Sequence, residues 1–117
     1  MILSKEELHA AHTAFYTQQQ RLQALVNVKK RPEHAADLIM MTVLLDRVAD
    51  KIVDDAPGEF PFLDEELIAA QEAFATRKAR LESYVEGMHR DVKELPDMRK
   101  ELVVMTAMLD RIREAIK

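Results

Sequence analysis

Cysteine and tryptophan are absent from the 117 residues, glycine occurs twice, and aromatic side chains make up 5% of the chain. Without cysteine there is no disulfide and no sulfur nucleophile. Two glycines cannot build the Gly-rich loop that cradles a phosphate. Scarce aromatics leave few platforms on which single-stranded nucleic acid stacks. Long apolar runs are missing too: the longest, Leu38 to Leu45, is interrupted by Thr42 and falls far short of the ~20 residues that span a bilayer. The opening residues Met1 to Glu7 hold no basic segment followed by a sustained apolar stretch, so no secretory signal is expected and the chain reads as cytoplasmic. A formal charge of -4 is too mild for a heavily acidic DNA mimic and has the wrong sign for a generic polyanion binder.

What is present is the composition of amphipathic helices: 48% apolar and 32% charged residues, rich in Ala, Leu, Glu, Lys and Arg. A chain of this length buries roughly two-thirds of its unfolded surface, enough for one core without staples. The sequence also repeats itself. Glu6–Val26 set beside Glu65–Val85, an offset of 59, gives eleven identities in twenty-one positions. Leu38–Val53 set beside Leu102–Lys117, an offset of 64, gives seven in sixteen, including Leu45-Asp46-Arg47 against Leu109-Asp110-Arg111. Pro32 and Pro96 share the second offset. The five-residue difference between offsets marks an insertion between Val85 and Pro96, and insertions are tolerated in turns. Each copy is therefore helix, turn, helix, with hairpins over about 4–54 and 64–117 and a linker over about 55–63. The expectation is one all-α domain, a four-helix bundle built by tandem duplication of a helical hairpin. In architecture alone it is similar to homodimeric hairpin proteins whose two subunits form one such bundle, a likeness that carries no function.

Local signals agree with this division. Ser4 with Glu7 spells a capping box, and Asp64 is the expected cap of the third helix. Pro32 and Pro96 suit first turns, while Pro57, Gly58 and Pro61 break the chain between copies. Seams with spacings of three and four run through Leu8, Ala11, Phe15, Gln18, Leu22 and Leu25, and through Met98, Leu102, Met105, Leu109, Ile112 and Ile116. Their counterparts are Leu67 to Tyr84 and His34 to Ile52, so the helices are expected to pack at shallow angles. The third stripe continues through Met88, Val92 and Leu95, which predicts a third helix projecting past its counterpart. Helices two and four are apolar on more sides than a seam needs, which predicts that they are the central pair.

Candidate chemistry is sparse. Glu6-x-x-His9 and Glu86-x-x-His89 carry the spacing of helical di-metal sites, but on the heptad their residues fall on the solvent side. Ile68 replaces His9 in the second copy and Gln71 replaces His12, so neither a metal nor any other cofactor is expected. Ser4 and Ser83 read as a cap and a surface residue, and no catalytic constellation appears, so the chain reads as non-enzymatic. Thr17, Arg21, Thr42, Asp46 and Arg47 recur as Thr76, Arg80, Thr106, Asp110 and Arg111. This suggests structural ion pairs about a pseudo-twofold axis.

The leading expectation is a protein-binding module, a small adaptor, inhibitor or assembly factor of the kind phages and mobile elements encode. It would bind a protein partner, or a second copy, through an apolar face of helices two and four centred on Met40, Leu44, Val104 and Met108. The alternative is a nucleic-acid regulator that contacts phosphate through basic hairpin tips, with Lys29, Lys30 and Arg31 at the first and Arg90 and Lys93 at the second.

Overall fold

The computed structural model describes all 117 residues and contains four helices packed against one another: α1 (Lys5–Gln23), α2 (Ala35–Val53), α3 (Asp64–Gly87) and α4 (Leu95–Ile116). A short π-helical segment, Ala24–Val28, extends α1, and a 3₁₀ turn, Pro32–His34, leads into α2. Two strands, β1 (Ile2–Leu3) and β2 (Gly58–Glu59), pair antiparallel. They tie the segment before α1 to the link between hairpins, and nothing in the hydrophobic pattern announces them.

The helix starts follow their local chemistry. The Ser4 hydroxyl accepts the Glu7 N–H, and the Glu7 carboxylate accepts the Ser4 N–H, closing both halves of a capping box. In the second hairpin Leu63, not Asp64, occupies the cap position. Its side chain has no acceptor, so only the carboxylate half survives, Glu66 accepting the Leu63 N–H at 2.8 Å. Pro96 sits in the first turn of α4, and Pro32 opens the 3₁₀ turn, where a missing N–H costs nothing.

Within each hairpin the helices lie closely side by side, α1 on α2 and α3 on α4. The hairpins meet along α1 and α3, each of which packs against all three other helices. This corrects the expectation that helices two and four are central: they lie on the flanks. Small residues explain the exchange. Ala10, Ala11, Ala14, Ala70 and Ala73 are buried and let α1 and α3 approach at the centre, where Phe15 stacks on Phe74 with ring centroids 5.3 Å apart. Gln18, further along α1, reaches back to Glu72 on α3, so the two helices cross in opposed directions. The two hairpin turns therefore leave the centre on opposite sides.

The bulkier side chains of α2 and α4 supply the rest of the core, among them Met41, Leu44, Val48, Met105, Met108 and Ile112. Phe60, 1% exposed, joins them from the linker as a plug, beneath the Arg47 guanidinium at 4.7 Å and beside Phe62. The third helix outruns α1 by the length of the π segment Ala24–Val28 but does not continue through Met88, Val92 and Leu95. α3 ends at Gly87, Met88 is extended, and Leu95 is the first residue of α4, where it is buried.

Candidate docking groove

Some residues related by the 59 and 64 offsets make the same contacts in the two halves. Arg47 on α2 holds Glu66 on α3 at 2.9 Å and donates to the Pro61 carbonyl. Its counterpart Arg111 on α4 holds Glu7 on α1 at 2.6 Å and donates to the Ile2 carbonyl. Each hairpin thus clamps the helix start of the other. The clamp also engages the carboxylate of each capping box, so one acid serves a helix start and a hairpin interface together. Thr42 and Thr106 are equivalent as well, each bonding the carbonyl four residues back. Asp46 and Asp110 are exposed without an ion-pair partner, and nothing in the structure explains their recurrence.

The seam polar residues differ. Gln18 is buried against Glu72, while Arg77, its counterpart, pairs with Glu101 through two hydrogen bonds at 2.7 and 3.0 Å. Register in the second hairpin is held by a charged pair that the first hairpin lacks.

Because α1 and α3 form the short diagonal, two equivalent grooves open beside it. One lies between α1 and α4, with a volume of about 300 Å³, and is polar: Glu6, His9, Thr13, Asp97, Lys100 and Glu101 line it. Lys100 reaches Glu6 at 3.9 Å across it. The other lies between α2 and α3 and has more apolar residues in its lining, set beside Gln18, Asp37, Glu65 and Glu72. Its deeper part, about 240 Å³, is walled by Leu22, Met40, Met41, Ile68 and Ala69. Through Met40 and Glu65 it continues into a shallower part, about 270 Å³, lined by Ala36, Ile39, Val43 and Leu63. The asymmetry is one of sequence, since Ala36, Val43, Leu63 and Ile68 stand where the other half has Lys100, Ala107, Ser4 and His9.

Where this groove meets solvent, Ile39 is 66%, Leu63 67%, Ile68 58% and Val43 46% exposed. Single exposed apolar residues are ordinary, but a contiguous set lining one groove marks an interaction surface. Of the four residues expected to face a partner, Met40 is half-buried in this groove and Val104 half-buried in the polar one. Leu44 and Met108 are fully buried at 0% exposure. They flank the seam on the side turned to the centre, and a globular helix buries a stripe wider than the seam alone. Ile39 and Val43 lie off the seam on the opposite side. The sequence signal for this face lies on α3 and just before it, where apolar Leu63 and Ile68 stand against polar Ser4 and His9 at the related positions; Ile39 and Val43 have apolar counterparts, Val103 and Ala107, and carry no such signal.

The basic residues do not converge. Lys29, Lys30 and Arg31 are exposed in the first turn, and Arg90 and Lys93 in the second, on opposite sides of the molecule. Lys30 has a left-handed backbone, φ 55°. His9 is exposed and His12 half-buried, and no three His, Asp or Glu side chains converge as a metal-binding group. No helix is long and apolar enough to cross a membrane. No protein-family model, characterised protein or solved structure matches this chain.

Proposed function

We propose that this protein is a non-enzymatic binding module that takes an apolar segment of a protein partner into the α2/α3 groove, as an adaptor, inhibitor or assembly factor. The observation that carries this reading is the difference between two equivalent grooves on one scaffold. The α1/α4 groove holds mixed charges, whereas the α2/α3 groove has exposed Leu63 and Ile68 where the other half has Ser4 and His9, and these continue the apolar path of Ile39 and Val43. Leaving such side chains in water forgoes about 25 cal/mol for each Å² of apolar surface that a partner could cover. Methionine at the junction of the two parts, Met40, adapts to varied side chains without strain.

The reading is tested by affinity capture from the native cell with quantitative mass spectrometry, using the intact chain and an Ile39→Glu, Ile68→Glu variant. The expected result is a protein recovered with the intact chain and lost with the variant while helicity is retained. Recovery of the same proteins by both chains contradicts the reading.

A further inference from the structure

We infer that the occupant of the α2/α3 groove is a basic amphipathic helix, with apolar residues spaced three and four apart on one face and Lys or Arg beside them. The inference rests on the docking reading above and adds the chemistry of the partner. Its ground is charge. No lysine or arginine lines either part of the groove, while Asp37, Glu65, Glu66 and Glu72 do. Glu66 is answered by Arg47 at 2.9 Å and Glu72 by Arg21 at 3.8 Å. Asp37 on the α2 wall and Glu65 on the α3 wall have no cation within ion-pair distance. An apolar floor thus runs between two unpaired acids, one on each side, where flanking cations of an incoming segment would find them.

The walls favour a helical segment: both are helices and offer no sheet edge to which a strand could add, and an apolar groove between two helices is the setting in which an amphipathic helix docks. From Ala36 to Val43 the α2 wall rises about 10 Å, enough for two turns of such a helix. A second copy of this chain fits poorly: in a symmetric contact this face meets itself, so the groove's acids would be brought together with no lysine or arginine of the lining to answer them, and like charges at close quarters oppose association.

The test titrates the full-length protein with three labelled synthetic peptides that share one apolar stripe, one flanked by lysines, one by glutamates, and one with the lysine sequence scrambled. Two variants of equal charge change are compared. Glu65→Lys lies in the apolar groove, and Glu6→Lys is its counterpart in the polar groove. The expected result is binding of the lysine-flanked peptide at least ten times tighter than of the other two. It should weaken about tenfold in Glu65→Lys and less than twofold in Glu6→Lys, with amide shifts confined to residues 36–43 and 63–72. Equal binding of the lysine and glutamate peptides overturns the inference, as do equal losses in the two variants. So does failure of all three peptides to bind. If capture from the cell still depends on Ile39 and Ile68 in that case, the docking reading stands and only the basic helix is lost. A dimer in light scattering that Ile39→Glu dissolves also overturns the inference, in favour of a second copy.

Discussion

At the scale of single residues, the structure separates apolar positions that hold the fold from those that are free to do something else. Phe15 and Phe74 stack at the crossing of the two hairpins with 0% exposure. Phe74→Ala is expected to destabilise by about 3–5 kcal/mol, a large share of the ~6–18 kcal/mol typical of a domain this size, and chemical denaturation measures it. Leu44→Glu or Met108→Glu buries an unpaired charge, and circular dichroism should show lost helicity. Ile39→Glu is expected to shift stability by less than about 1 kcal/mol. Arg47→Ala leaves the nearly buried Glu66 carboxylate without its partner and should cost about 2–4 kcal/mol, more than Arg111→Ala, because Glu7 is the more exposed of the two acids. Part of this was legible in the sequence: the recurrence of Arg47 as Arg111 pointed to ion pairs about a pseudo-twofold axis, while the acids they hold, Glu66 and Glu7, emerge only from the structure. What was not legible is which flank of the seam turns inward. Leu44 and Ile39 are equally apolar, and only the approach of α1 and α3 buries one and exposes the other.

At the scale of elements, the four helices and their order follow from periodicity, but their ends and their places in the bundle do not. The stripe from Leu81 through Met88 and Leu95 has helical spacing, yet the chain leaves the helix after Gly87 because Leu95 finds its buried site at the start of α4. The central position of α1 and α3 follows from their buried alanines, which allow close approach. Counting large apolar residues favoured α2 and α4 because it scored hydrophobicity rather than distance of approach. The β1–β2 pair is too short to have a pattern of its own, and its geometry depends on Gly58, which has φ 133°. Gly58→Ala is expected to cost about 1–3 kcal/mol through backbone strain, although no atom lies within 4 Å of the added methyl. Gly87 is equally open but has no such φ, so Gly87→Ala should be neutral or stabilise by up to about 1 kcal/mol. Thermal unfolding of the two variants distinguishes strain from crowding.

At the scale of the whole molecule, the opposed crossing of the hairpins sends the two basic turns to opposite sides. A phosphate backbone reaching the first turn meets only Lys29, Lys30 and Arg31. Any association with DNA should therefore fall with salt on a logarithmic slope no steeper than about -3, which a filter or fluorescence titration reads directly. The same architecture gives many helix positions a counterpart on the opposite flank, and where the exposures agree the counterpart is a control. Ile39 on α2 and Val103 on α4 are such a pair, 66% and 70% exposed. The most direct measurement is the dissociation constant of the captured partner for Ile39→Glu and for Val103→Glu. At least a tenfold loss at Ile39 with less than a twofold change at Val103 is the predicted result, and equal effects at both positions would contradict the assignment of the α2/α3 groove.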